Sequence, residues 1–392
     1  MPAADPLEAR IAQALADRQS QGLLRHRQPI HRLEGAKIRV DGRLYHHFCG
    51  NDYLGLAESE AIHQAWQEGL RRFGAGSGAS PLVTGHHQVH QDLEQQLCDW
   101  LGFEAALLFS SGFAANQAVI HALMHKGDLL LQDRLNHASL QEAGHLCPAT
   151  MKRFAHNDCA DLDRRLDGAE PGTPKLVITE GVFSMDGDLA PLAELRQLCD
   201  RQGAWLMVDD AHGCGVLGPE GRGSSAAAAI QPDILVVTFG KAFGCAGAAV
   251  LCSNQLAQYL IQFARHLVYS TALPPAQACA LAESVRQIRS QQWRRDRLMT
   301  LSRLLTSGLD PAIPLMNTPT PIKPLMVGDS HKALALSAAL REKGLWIGAI
   351  RPPTVPAGQA RLRLTLSASH SDEQLVALAE ALNEVWHAAQ TR

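Results

Sequence analysis

Little in this sequence points outward. Its 36 lysines and arginines stand against 39 acidic residues, a net charge of −3 with no long basic patch. Nucleic acid and anionic membrane surfaces therefore find no electrostatic footprint. No apolar run approaches the ~18–20 residues that a membrane-spanning helix needs. The opening stretch MPAADPLEARIAQALADRQ lacks the basic start and apolar core of a signal peptide. Nine cysteines (49, 98, 147, 159, 199, 214, 245, 252 and 279) are scattered without one CxxC pair. That spacing argues against a disulfide framework or a zinc site, and no metal is expected. A soluble, cytoplasmic protein is the expectation. No GxGxxG follows a first strand, which disfavours a dinucleotide-dependent oxidoreductase. The loop GAGSGAS (Gly74 to Ser80) lacks the Gly-Lys-Ser/Thr ending of a nucleotide phosphate loop. Internal repeats are absent, and the one biased stretch is the short SSAAAAI.

What is present is ordinary globular material, 46% hydrophobic and 19% charged, with length for two domains and a large core. Residues 7–26 read as a charged helix. AKIRVDGRLYHHFC follows, where Asp41-Gly42 between alternating segments predicts a hairpin. From about 55 to 275, helical segments alternate with short apolar runs: ALLFSSG, LLLQD, LVITEG, WLMVDDAHG and ILVVTFG. Such alternation predicts an α/β fold, a mostly parallel sheet with crossover helices. Residues 276–308 read as a helical, arginine-rich bridge. Beyond them, IKPLMVGD, LWIGAI and ARLRLTLSA predict a smaller α/β domain. Its closing helix starts at Asp372, where Ser371 and Gln374 match a capping box. Leu375, Leu378, Leu382, Val385 and Trp386 form its apolar stripe. The expected divisions are 1–54 for the N-terminal helix and hairpin, 55–285 for a large domain and 286–392 for a small one.

Ligands of parallel α/β sheets sit beyond the carboxyl ends of the strands. Polar residues collect at five such ends: Ser110-Ser111-Gly112-Phe113, Asp133 with Asn136-His137, Thr179-Glu180 then Ser184, Asp209-Asp210 with His212, and Thr238 with Lys241. Singly, each has an ordinary structural explanation. A strand-end Asp caps the next helix, Ser184 and Thr238 suit turns, and His137 suits a local hydrogen bond. Cys214 and Cys245 suit small buried packing. Together they describe something more specific. The start of a helix at SSGF offers free amides to a phosphate. A strand-end acid pairs with a pyridinium nitrogen, a histidine three residues on reaches a neighbouring oxygen, and a lysine 32 residues after the acid forms a Schiff base. That is the protein side of a pyridoxal phosphate site.

The motifs NDYLGLA, SSGFAANQAVI, NHASLQEA, RFAHND, TEGVFSMDGDLAPL, VDDAHGCGVLG, TFGKAFGCAGAAVLC, FARHLVYSTALPPAQA and AIRPPTVPAGQARLRLTL run from residue 51 to 368. In this order and spacing the sequence resembles the α-oxoamine synthase family of fold-type I pyridoxal phosphate enzymes. The resemblance implies a fold-type I transferase with pyridoxal 5'-phosphate as cofactor. It implies Lys241 as the amine that bonds the cofactor and moves protons, Asp209 on the ring nitrogen, His212 and Ser184 around the phenolic oxygen, and His137 on the ring face. Gly112, Phe113 and Thr238 would hold its polar groups, including the phosphate. Thr271, with Ser270, would reach the neighbouring subunit's phosphate in a homodimer with shared sites. Arg363 matches the arginine that binds the amino-acid carboxylate, and Arg25, Asn51, Arg351 and Thr354 lie at substrate positions with His137. The implied reaction is a decarboxylative condensation of L-alanine with a pimeloyl thioester, carried by acyl carrier protein or coenzyme A, in biotin synthesis. Sister enzymes that take glycine and a short acyl-CoA are the alternative, and a non-catalytic partner subunit is the remote one. Pro81 departs from the arginine that relatives often carry after the glycine-rich segment, which bears on how the acyl chain is received.

Overall fold

The computed structural model describes residues 5–21 and 23–390. Near the N-terminus, strands β1 (His31–Leu33), β2 (Lys37–Val40) and β3 (Arg43–His47) form a meander. Asp41 and Gly42 both take positive φ between β2 and β3, the two-residue turn that matches strand twist. The preceding helix Pro6–Ser20 stops short of the expected residue 26 and buries no side chain. Without a packed face to reward it, a charged run does not extend as helix, since packing supplies most helical stability.

The apolar runs become β4 (Ala105–Phe109), β5 (Leu129–Asp133), β7 (Lys175–Glu180), β8 (Trp205–Asp209) and β9 (Ile234–Thr238), with β6 (Thr150–Phe154) and β10 (Ala248–Cys252) added. They form one seven-stranded sheet in the order β4-β10-β9-β8-β7-β5-β6. Strand β10 is antiparallel to both its neighbours, and every other pair is parallel. Side chains alternate between the two faces. Val177, Leu206, Val208, Leu235 and Val237 enter one buried cluster, while Leu176, Ile178, Met207, Ile234 and Val236 enter another. Both faces are covered, which explains why these strands read as unbroken apolar runs.

The expected helical bridge is two helices, Pro275–Ser290 and Gln292–Gly308, broken at Gln291. Beyond them, β11 (Ile322–Gly328), β12 (Leu345–Trp346), β13 (Gly348–Ile350) and β14 (Ala360–Thr365) follow. Strands β11, β14 and β13 form an antiparallel sheet. Strand β12 pairs in parallel with β3 and so joins the first hairpin to the C-terminal part. The last helix, Asp372–Gln390, buries Leu375, Leu378, Leu382, Val385 and Trp386. Its capping box is formed, with the Ser371 amide donating to Gln374 Oε1 at 2.8 Å and the Gln374 amide donating to Ser371 Oγ at 3.3 Å. Among the described residues, no helix is long and apolar enough to cross a membrane.

Candidate active site

Because β4, β5, β7, β8 and β9 run the same way, their carboxyl ends open on one edge of the sheet, where a cavity of about 360 Å³ lies. Asn51, Gly112, Phe113, His137, Asp209, His212, Thr238 and Lys241 line it, as do Asn116, Ser139 and Glu180. A second depression of about 290 Å³, around Trp205 and Asp233, opens at the amino-terminal edge. Asp233 there is engaged by Arg196 at 2.6 Å and by the Leu206 amide at 2.7 Å, so it serves the fold.

Lys241 follows β9, and its Nζ lies 2.8 Å from His212 Nε2. The other ring nitrogen of His212 is 2.5 Å from the Tyr53 hydroxyl. Burial, then the neighbouring Lys241, Arg363 and His137, press the His212 imidazole well below its usual value, so the ring is neutral. Burial also lowers the Lys241 ammonium, against the pull of Asp209 and Glu180. A buried amine that sheds its proton easily is what a base or nucleophile requires. Tyr53 is pushed up to about 12, mainly by burial, and stays a neutral phenol.

Asp209 ends β8 with its carboxylate fixed from two sides. Asn116 Nδ2 donates to it at 2.7 Å, and the Ala211 amide donates at 3.1 Å. Asn116 also donates to Ser139 Oγ at 2.9 Å, which ties the first helix after β4 to the next strand end. His137 caps the helix Ala138–Leu146, its Nδ1 accepting from the Ser139 amide at 3.2 Å. Burial lowers the His137 imidazole, Asp209 opposes that, and Lys241 adds to it. Next door, Asp210 is raised to about 7, chiefly by burial, and is engaged by the Ser224 amide at 2.8 Å.

The cavity wall carries buried polar atoms without protein partners: Thr238 Oγ1, Asn116 Oδ1 and Glu180 Oε1. Native proteins leave few such groups unpaired, so these fit a ligand with polar substituents. The Gly112 and Phe113 amides begin the helix Gly112–Leu123 and have no intrahelical carbonyl to pair with. A Cβ on Gly112 would lie 2.4 Å from Thr238 Cγ2, so glycine leaves room for the Thr238 side chain beside this helix start. Free amides for a phosphate, a fixed carboxylate for a ring nitrogen and a buried amine for an aldehyde are the donor set that pyridoxal phosphate needs.

Arg363, on β14, sits beside this cavity. It donates to Ser184 O at 2.6 Å, Thr365 Oγ1 at 3.0 Å and Asn51 Oδ1 at 3.2 Å. All three partners are neutral, and Arg363 as a residue is only 6% exposed. A buried cation without an anionic partner suits a carboxylate ligand. Arg25 and Thr354, 329 positions apart, meet at 3.5 Å on the surface. Arg351 directly follows β13, half-buried. These three do not line the cavity. Thr271 is exposed, in a loop whose Ala272 amide bonds the Ala79 carbonyl at 3.0 Å. Ser184 touches Arg363 through its carbonyl and lies outside the cavity lining.

Sequence reasoning singled out neither Asn116 nor Tyr53. Asn116 had a usable signal, because it stands one helical turn after Gly112 and so faces the same way. Tyr53 had none, since its partner His212 is 159 residues away. Glu180 was noticed as a strand-end acid and given no role. It lines the cavity, and burial followed by the neighbouring Asp209 charge raises it well above the usual carboxylate range.

The family model Aminotransferase class I and II matches residues 46–382. An 8-amino-7-oxononanoate synthase of Photobacterium profundum is 58% identical over 385 residues, 96% of each chain. One of Vibrio cholerae is 55% identical over 96% of this chain and 97% of its own. Among solved structures, a serine palmitoyltransferase of Sphingomonas wittichii superposes with a TM-score of 0.92 at 32% identity, covering 99% of this chain and 100% of its own. An 8-amino-7-oxononanoate synthase of Francisella tularensis gives 0.75 at 30% identity over 87% and 98%. The fold is therefore that of the fold-type I pyridoxal phosphate transferases. The chain belongs to the class I and II aminotransferase family and, within it, to the 8-amino-7-oxononanoate synthases.

Proposed function

We propose that this chain condenses L-alanine with a pimeloyl thioester, on acyl carrier protein or coenzyme A, to give 8-amino-7-oxononanoate, carbon dioxide and free thiol. The observation that carries this reading is Lys241, a half-buried lysine whose amine lies 2.8 Å from a neutral histidine, in a cavity that also holds Asp209. The identity of 58% to a named synthase supports the choice of substrates and does not favour the glycine-using sister reaction.

Pyridoxal phosphate, when bound, supplies an aldehyde that captures amines and a ring that withdraws electrons from the carbon beside the captured nitrogen. The amides of Gly112 and Phe113 and the Thr238 hydroxyl would hold its polar groups. Asp209, kept in place by Asn116, would hold a proton on its ring nitrogen. His212 and Ser184 would stand around its phenolic oxygen, and His137 would lie on its face. Arg363 would take the alanine carboxylate in its planar fork, with Asn51 orienting it, while Arg25, Arg351 and Thr354 would contact substrate or product. Lys241 Nζ, which burial helps to shed its proton, then removes the α-proton of alanine. The alanine carbon forms its new bond to the thioester carbonyl, and the thiolate leaves. The alanine carboxylate departs as carbon dioxide, and Lys241 returns a proton to the same carbon. In a cytoplasmic homodimer, Thr271 and Ser270 would reach the neighbouring subunit's phosphate.

The test is thiol release by protein loaded with pyridoxal phosphate, offered alanine or glycine with pimeloyl, succinyl or acetyl thioesters. Turnover selective for alanine with the pimeloyl donor supports the reading, and preference for glycine with a short donor overturns it. Lys241→Ala should lose the absorbance of the lysine-bound cofactor and all turnover.

A further inference from the structure

After β7 the chain GVFSMDGDL (residues 181–189) crosses from the large sheet to the three-stranded one as a strap fastened on both sides. On the small-sheet side Arg361 pairs with Asp186 and donates to Met185 O at 3.3 Å. There too, Thr320 Oγ1 donates to Gly187 O at 2.8 Å, and Arg363 Nε donates to Ser184 O at 2.6 Å. On the large-sheet side the principal fastening is His156, in the RFAHND segment that the proposed reaction leaves without a role. Its Nδ1 lies 3.0 Å from Asp133 Oδ1 at the end of β5. Its Nε2 lies 2.8 Å from Asp188 Oδ2 on the strap. Asn157 reinforces the junction, its amide reaching Asp133 at 2.9 Å and its side chain reaching Asp188 at 3.0 Å. The ring stands edge-on to Phe183 of the strap, with centroids 4.4 Å apart.

We propose that His156, as an imidazolium bridging Asp133 and Asp188, is a positioning residue for the amino-acid carboxylate: it fixes the strap, whose Ser184 carbonyl orients the Arg363 guanidinium. The inference rests on Arg363 as the carboxylate binder. Its physical basis is donor count. Only the protonated ring has two N–H groups, so only it can donate to both carboxylates at once. A neutral ring donates to only one of them and leaves the other carboxylate to the uncharged donors of Asn157, so the charge-assisted bridge between β5 and the strap is lost. The charged groups facing the ring are Asp133 from β5 and Asp188 from the strap, while Asn157 and Phe183 complete the contact without charge. Burial pulls the imidazole down, but the hydrogen bonds and charges of Asp133 and Asp188 outweigh it and raise it to about 9. The tie is therefore closed at neutral pH and opens in alkali, loosening Ser184 and with it the Arg363 fork.

The test uses the holoenzyme and two variants. Asp188→Asn keeps an acceptor opposite Nε2 but removes one of the two charges, so His156 should release its proton about one pH unit lower. The alkaline rise in KM for alanine should move down by the same amount, with kcat changed less than about threefold. His156→Gln should raise KM for alanine about tenfold at pH 7.5 and abolish the alkaline rise that His156 causes. Calorimetric titration of alanine into the holoenzyme gives the binding constants independently of turnover. The alanine amine also titrates in alkali, but it is common to all three proteins, so the difference isolates His156. An alkaline limb unmoved in Asp188→Asn, or variants that lose kcat and melting temperature together with KM unchanged, would overturn the proposal. A parent that takes glycine in place of alanine would instead overturn the substrate reading, and the same shift would then be read with glycine.

Discussion

The Thr238 hydroxyl is buried at the cavity wall with no acceptor or donor in the protein. Thr238→Val keeps the shape and deletes only that group, so the fold loses no hydrogen bond. Its melting temperature should match or slightly exceed the parent's, while cofactor affinity falls about tenfold, the worth of one well-placed hydrogen bond. Absorbance titration with pyridoxal phosphate and thermal melts read the two effects separately. Equal losses in both would mean that Thr238 is structural. Tyr53→Phe is the reverse case. It strips His212 of a partner inside the core, which should cost about 1–3 kcal/mol of stability, measured by denaturant unfolding of the cofactor-free chain. At this scale the sequence made Lys241, Asp209, His212 and His137 legible, because each stands just past an apolar run and strand ends converge. The supporting groups Tyr53 and Asn116 act on side chains 159 and 93 positions away. No local pattern encodes the Tyr53 contact, and Asn116 offers only its place one helical turn after Gly112.

The central elements of the large sheet announced themselves because both faces are buried, so β5, β7, β8 and β9 are unbroken apolar runs. Strand β6 did not, since it lies at the sheet edge with Thr150, Lys152 and Arg153 exposed. Strand β10 was hidden differently: its small AAVLC run directly follows the lysine loop, and nothing local states that it reverses direction. The reversal matters, because it returns Gly247 and Ala246 to the cavity edge beside Thr238. The helix Gly112–Leu123 meets β9 closely at the cavity. In Gly112→Ala the new methyl would sit 2.4 Å from Thr238 Cγ2. Either the Thr238 side chain must rotate, carrying its hydroxyl away from the cavity, or the helix start must shift. The chain should still fold, with cofactor affinity down about a hundredfold, since the shift carries the phosphate-facing amides out of line. Affinity within about threefold of the parent would show that these amides do not hold the phosphate.

At the scale of the whole molecule, the two ends of the chain are stitched into one body around the site. Strand β12 pairs with β3, the Thr365 amide donates to Phe48 O at 2.8 Å, and the Ala368 amide donates to Tyr53 O at 2.8 Å. The C-terminal part therefore holds Tyr53 and Asn51 in register with His212 and Arg363, so loosening it reaches the chemistry. Lys323 on β11 is the weak point of that part. It is 4% exposed, and its Nζ donates to Thr318 O at 2.5 Å with no carboxylate beside it. Burial alone lowers its ammonium to about 8 from 10.5. Below pH 8 the lysine is charged in both the folded and unfolded chain, so the fold bears the whole cost of burying the charge. Between about 8 and 10.5 the unfolded chain binds more protons than the folded one, and stability rises with pH. Above that range both forms are neutral and the cost is gone. Lys323→Met removes the charge and keeps the aliphatic bulk, at the expense of one hydrogen bond to a carbonyl. It should therefore be more stable than the parent at pH 7, by about 1–2 kcal/mol, with the advantage shrinking steadily from pH 8 to 10.5. His156 works in the opposite sense. Its value near 9 lies above the ordinary 6.5, so its contribution is complete below pH 6.5 and is lost as pH rises through 9. Denaturant midpoints of the parent, Lys323→Met and His156→Gln between pH 6 and 10.5 separate the two trends. A Lys323→Met advantage that does not change with pH would show that this lysine is not charged in the folded chain at pH 7.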